Sequence, residues 1–196
     1  MSDEIEGHGG VHALAVARAH GVETMFTLSG AHVFPIYDAA VTSDPPTRIL
    51  DVRHEQTATF AAEATGKLTR RPGLAVLTAG PGVTNGVSAM AQAAFSGAPM
   101  VVIGGRSPDN RWGQGALQEF DHVAVVESMT RYAATVHSAG DIARLTDEIH
   151  AAQTALAEHD HTDYEGLAAK MAEIGVQQTQ VADLEERWLE LSELIA

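Results

Sequence analysis

The chain has 196 residues, 45% of them hydrophobic, enough for one α/β domain of ordinary size and a smaller appendage. Its formal net charge is −14 with no cluster of Lys and Arg, which argues against nucleic acid or an anionic membrane surface as a partner. It has no cysteine, hence no disulfide framework or thiolate chemistry; no run approaches a membrane span and Met1–Gly10 lacks a signal-peptide pattern, so a cytoplasmic protein is expected.

Small and aliphatic residues from about Val11 to Ala19 predict a helix, with Gly21 placed to end it in a left-handed conformation. Met25-Phe26-Thr27-Leu28 reads as a strand running into Ser29-Gly30, and Pro35 suits the first turn of a short helix. Ser43-Asp44-Pro45-Pro46 continues no regular element and predicts an exposed connection to a strand at Arg48–Val52. Glu55–Thr69, rich in Ala, Gln and Glu, predicts a helix, closed by the turn Arg71-Pro72-Gly73 before a strand at Leu74–Thr78. Gly80-Pro81-Gly82 breaks that strand. A helix is expected from Thr84 or Asn85 through Phe95, ended by Gly97-Ala98-Pro99 ahead of a strand at Met100–Gly104.

Strands beginning near residues 25, 48, 74 and 100 leave room for one crossover helix each time, the pattern of parallel strands in right-handed βαβ units. The unbroken apolar runs Ala75-Val76-Leu77 and Met100-Val101-Val102-Ile103 fit strands buried on both faces. The expected fold is α/β: a doubly wound, mainly parallel sheet with helices on both faces, in a domain of residues 1–150. After an irregular stretch to Gly115, a short helix, a strand around Ala133–Val136 and a helix from Asp141 are expected. Residues 151–196 hold ten acids against Lys170 and Arg187, and Tyr164, Leu167, Met171 and Ile174 recur at helical spacing. An acidic, all-helical tail is expected there, as one bent helix or a hairpin.

Open α/β sheets bind ligands beyond the carboxyl ends of their strands, which here selects Ser29-Gly30, His54-Glu55 and Ala79–Asn85. Glu55 starts a helix, where a carboxylate either complements the helix N-terminus or serves chemistry. His54-Glu55 begins like a zinc-hydrolase helix, but the second histidine four residues on is missing. Gly80–Asn85 either cradles an anion with backbone N–H groups or makes a tight packing turn, and it matches neither the dinucleotide fingerprint nor the phosphate loop. Gln118-Glu119 and Asp121-His122 lie in a polar stretch that reads equally as solvated surface. His159 and His161 lack a third ligand at metal-binding spacing, so no metal site is assigned.

Taken in order, several segments resemble one family: Phe26–Gly30, Pro35–Asp38, Arg53-His54-Glu55-Gln56, Thr78–Asn85, Pro99-Met100-Val101 and Leu117-Gln118-Glu119. They look like the N-terminal pyrimidine-binding domain of thiamine-diphosphate enzymes of the acetolactate synthase type, over roughly Val11–His150. The resemblance implies thiamine diphosphate as cofactor and Glu55 as the catalytic glutamate that meets N1′ of its aminopyrimidine. It implies Gly30, Pro81, Asn85 and Gln118 as further cofactor-binding residues. The activity implied is decarboxylation of a 2-keto acid and condensation with a second, the chemistry that opens branched-chain amino acid biosynthesis.

Ser29-Gly30-Ala31-His32 stands where many relatives have Pro-Gly-Gly-Ala, so the details of that loop are not transferred. The family's central domain is absent from the sequence, as is the carboxy-terminal domain whose Gly-Asp-Gly…Asn motif binds Mg²⁺ and diphosphate; Gly140-Asp141-Ile142 does not reproduce it. Mg²⁺ is therefore expected only through a partner domain, and FAD is not assigned. The chain is expected to hold half an active site, as a homodimer or with a diphosphate-binding chain. The alternative is a non-catalytic remnant or dimerising assembly module. Separately, Thr162-Asp163-Tyr164-Glu165 and Leu184–Leu191 resemble helical segments of ABC-F ATPases, without a nucleotide motif from which ATPase activity would follow.

Overall fold

The computed structural model describes residues 6–138, 140 and 142, all within the first of two units into which the chain divides, Met1–Asp147. The expected tail at 151–196 and the helix expected from Asp141 lie outside the described residues.

Four strands form one parallel sheet: β1 (Thr24–Thr27), β2 (Arg48–Asp51), β3 (Gly73–Leu77) and β4 (Met100–Gly104), in the order β2-β1-β3-β4. In register, Phe26 of β1 lies between Leu50 and Ala75, and Val76 of β3 faces Ile103. Parallel neighbours require crossovers, and helices supply them: α2 (Phe34–Thr42), α3 (Glu55–Thr69), α4 (Pro81–Asn85) and α5 (Val87–Ser96), with α1 (Gly9–Ala19) ahead of β1 and α6 (His122–Val126) after β4.

Every residue of β3 is buried, and alternate side chains feed opposite layers. Leu74 and Val76 join Leu14, Met25, Ile36 and Ala40 in the core beneath α1 and α2. Ala75 and Leu77 join Ala58, Ala62 and Met90 beneath α3 and α5. The doubly wound α/β sheet with helices on both faces is therefore present, and the continuous apolar run of β3 follows from burial on both sides.

Local punctuation follows backbone chemistry. Gly21 has φ +81° after α1 and Gly97 has φ +63° after α5, the left-handed endings that glycine adopts without a Cβ clash.

Three expectations need correction. The helix expected from Thr84 or Asn85 begins earlier, at Pro81, because a proline ring presets the helical φ of a first turn and its missing N–H is not needed there. It is also two helices, parted at Gly86, where a Cβ would stand 2.7 Å from Thr59 Oγ1 and 2.9 Å from Leu77 Cδ1. The strand expected around Ala133–Val136 is not formed: the segment is irregular with Val136 42% exposed, and no strand edge pairs with it.

Gly66, inside α3, lies against the chain before β4: a Cβ there would be 2.0 Å from the Pro99 carbonyl oxygen. In an open helix Gly→Ala gains up to about 1 kcal/mol. Here the contact reverses the sign, and Gly66→Ala is expected to lose about 1–3 kcal/mol in urea denaturation. A gain would contradict the packing of α3 on Pro99.

Candidate functional site

In the order β2-β1-β3-β4 the chain leaves β1 toward one side and β3 toward the other, which makes their carboxyl ends the switch point where open α/β sheets bind ligands. Two glycines close the loops on one side chain there. A Cβ at Gly30, after β1, would lie 2.2 Å from Thr78 Oγ1. One at Gly82, after β3, would lie 2.6 Å from Thr78 Cγ2 and 3.5 Å from Glu55 Oε1. Thr78 is 9% exposed and its hydroxyl also meets His32 Nδ1 at 3.3 Å.

Glu55 is the first residue of α3, reached from β2. The cap of that helix is made by its neighbour: His54 Nδ1 accepts from the Gln56 N–H at 3.1 Å. The Glu55 carboxylate instead faces α4, where Oε2 accepts a 2.9 Å hydrogen bond from Asn85 Nδ2. Glu55 is only 8% exposed, and Oε1 accepts no hydrogen bond among the described residues. Its burial is helped by the positive end of the α3 dipole, which favours a carboxylate in the first turn.

The loop that carries Asn85 is held from below. Gly80 has φ +59° and ψ −117°, a conformation closed to other residues, and a Cβ there would be 2.9 Å from that of Gln118. Gln118 itself is left-handed, with φ +57°, at this close approach. The Gly80 N–H donates to His122 Nε2 at 2.7 Å. Burial pushes the His122 imidazole below its ordinary value; Asp121 opposes the shift, and Arg106 and His32 add to it. The shift favours the neutral ring, the form able to accept from a backbone N–H.

The structure thus gathers Gly30, Glu55, Asn85 and Gln118 around the ends of β1, β2 and β3. Pro81 opens α4 with its side chain exposed. Two contributors were not legible as such: Thr78, the post between two glycines, and His122, which the sequence leaves in a polar stretch. The signal for His122 is that a Gly-Pro-Gly turn leaves a backbone N–H needing an acceptor.

Glu55 borders neither of two hollows found among the described residues. One is lined by Arg106, Trp112, Phe120, His122 and His137, with the Arg106 guanidinium 4.0 Å above the Trp112 ring. The other is lined by His32, Ser107 and Arg111 together with apolar residues. Among the described residues no group of three or more His, Cys, Asp or Glu is placed to hold a metal, and no helix is long and apolar enough to cross a membrane.

Residues 8–125 match the family model described as thiamine pyrophosphate enzyme, N-terminal TPP binding domain, and residues 139–193 match the ABC transporter C-terminal domain. The chain is 54% identical over 131 residues to a probable acetolactate synthase of Mycobacterium bovis and to the acetolactate synthase large subunit IlvG of Mycobacterium tuberculosis, covering 67% of this chain and 24% of each relative. It is 40% identical over 148 residues to 2-hydroxyacyl-CoA lyase 2 of Mus musculus, covering 75% of this chain and 23% of that protein. The chain spans about a quarter of the length of these curated relatives.

Because the folded value of His122 lies below 6.5, its bond to Gly80 stabilises the fold fully above that pH and is lost as pH falls through the lowered folded value. In a pH titration followed by ¹H–¹⁵N NMR, the Gly80 amide is expected to shift with an inflection below 6.5, and the inflection is expected to vanish in His122→Leu. A Gly80 amide that does not titrate would contradict the assigned bond.

Proposed function

The chain belongs to the thiamine pyrophosphate enzymes, whose N-terminal TPP-binding domain it carries at residues 8–125, and from that membership we propose that Glu55 is its cofactor-activating residue. In this reading the chain supplies the pyrimidine half of an acetolactate synthase-like site. The diphosphate and Mg²⁺ are held by protein outside these 196 residues, in a partner domain or chain.

One observation carries the reading: the Glu55 carboxyl is buried at a sheet switch point with one oxygen fixed by Asn85 and the other without a donor. The residues present suit an aminopyrimidine. A carboxyl oxygen can bond a ring nitrogen, and Gly82 beside it has no side chain to bar a flat ring. When bound, thiamine diphosphate supplies a thiazolium carbon acid and an aminopyrimidine able to take its proton.

The chain's own residues do the rest. Glu55 would hold a proton at the pyrimidine N1′, which would make the exocyclic amino group acidic enough to give up a proton and leave its nitrogen able to act as a base. Asn85 fixes the carboxyl rotamer so that this bond is not reorganised during the reaction. His122 and Gln118 brace the Gly80 turn and so the start of α4. The substrates in this reading are 2-keto acids, a choice supported by the likeness to the two mycobacterial proteins named as acetolactate synthases.

Assembly is part of the proposal, either with a second copy or with a diphosphate-binding chain. It is supported by the large apolar side chains left at the surface, among them Phe95 at 91% exposure and Leu68 at 84%. Sedimentation is expected to show self-association or uptake of the diphosphate-binding chain. A strictly monomeric species at high concentration, with that chain present, would contradict it.

The catalytic assignment is tested in the assembled enzyme by hydrogen–deuterium exchange at C2 of bound thiamine diphosphate. Glu55→Gln is expected to slow exchange by about 10²–10⁴-fold, the range for loss of a positioned proton-transfer group. Exchange at the unmodified rate would exclude the role.

A further inference from the structure

The turn at the head of α4 rests on an acceptor that a proton can take away. Gly80 is buried, no side chain caps α4, and the Gly80 N–H donates to His122 Nε2 at 2.7 Å. That bond uses the lone pair of an unprotonated ring nitrogen. A proton arriving from solvent at Nε2 binds the same lone pair, so the bond breaks and two N–H donors face each other at a distance that suits one. One of the two groups must move.

The ring is the better anchored. Asp121, just before it, caps α6 by accepting from the Val123 N–H at 3.2 Å, and the Phe120 ring meets the imidazole edge-on with centroids 5.5 Å apart. Gly80 has no side chain to hold it, and its carbonyl accepts from the N–H groups of Val83 and Thr84, so turn and helix move together. The helix has five residues, the last of which is Asn85, the donor to Glu55 Oε2 at 2.9 Å. A shift at Gly80 therefore reaches Asn85 within one turn.

Charged groups around the ring set when this happens. Burial is the strongest influence and opposes protonation; Asp121 favours it, and Arg106, after β4, and His32, after β1, oppose it. His137 lines the same hollow as the ring, and Asp109 is bonded to both His137 and Arg106. Glu127 opens the turn that packs on α6, while Pro81–Asn85 brings no titratable group.

We propose that His122 is a proton-sensitive positioning residue: its neutral ring holds the Gly80 turn, and protonation at Nε2 releases that turn and with it the hold of Asn85 on Glu55. That cofactor activation is what this governs rests on the function proposed above.

The test is a pH titration of the full chain by ¹H–¹⁵N NMR from about pH 8 to about pH 5, the range in which imidazoles titrate. The Gly80 amide and the Asn85 side-chain amide are expected to shift with one shared inflection, below 6.5. His122→Gln offers a carbonyl acceptor that takes no proton, and both signals are expected to keep their high-pH positions throughout. His122→Leu, with no acceptor, is expected to hold them at their low-pH positions. A Gly80 inflection that Asn85 does not share would overturn the proposal. So would an Asn85 inflection that survives in His122→Gln, which would report Glu55 itself.

Thiamine diphosphate added at either end of that range separates this inference from the function proposed above. Acidification is expected to weaken its binding about two- to tenfold more in the unmodified chain than in His122→Gln, the worth of one lost hydrogen bond. An equal fall in both would contradict the coupling. A shared inflection without any cofactor response supports the role of His122 and counts against the proposed function. A cofactor response at Glu55 and Asn85 with no shared inflection does the reverse.

Discussion

The site depends on a buried carboxylate being given one donor and no more. Taking a carboxylate out of water is costly unless it is paired or hydrogen-bonded, and Glu55 meets that demand with the single amide of Asn85. The bond spans 30 residues and ties the start of α3, at the end of β2, to the end of α4, which follows β3. Two strand ends are thereby fixed relative to each other through the group that would do the chemistry. The helix cap is made by His54 and not by Glu55.

Close backbone approach makes this arrangement possible. At Gly30, Gly80 and Gly82 a Cβ would collide with Thr78 or Gln118, so the three loops meet at distances that side chains would forbid. The same economy holds deeper in the fold, where a Cβ at Gly73 would stand 1.9 Å from the Ala62 carbonyl oxygen and α3 presents Ala58 and Ala62 to the sheet. Small residues bring α3 down onto β3, and the position of its first residue, Glu55, follows from that contact. Stability and site geometry are thus set by the same packing.

Much of this was legible in the sequence because local rules agree there. β4 and α3 fall on their expected bounds, since apolar runs, helix formers and Gly/Pro punctuation point the same way. The loops at the switch point could also be found, because parallel strands at that spacing leave few topologies. What was hidden required partners distant in sequence. The close packing of Gly86 involves Thr59 and Leu77, and the role of His122 a glycine 42 residues earlier. Ala133–Val136 shows the converse failure: a short apolar segment reads as a strand, but without a sheet edge to pair with it remains irregular. The direction of the Glu55 carboxylate, cap or switch point, likewise could not be settled before α4 was placed.

The central claim is that the oxygen of Glu55 not held by Asn85 meets the ring nitrogen of a bound pyrimidine. A crystal structure of the chain soaked with thiamine diphosphate tests it most directly. The account requires N1′ within about 2.6–3.2 Å of the Glu55 carboxyl, with the ring lying against Gly82 and the Asn85 bond intact. A cofactor bound elsewhere, or a pyrimidine at the switch point that leaves Glu55 in contact with Asn85 alone, would contradict it.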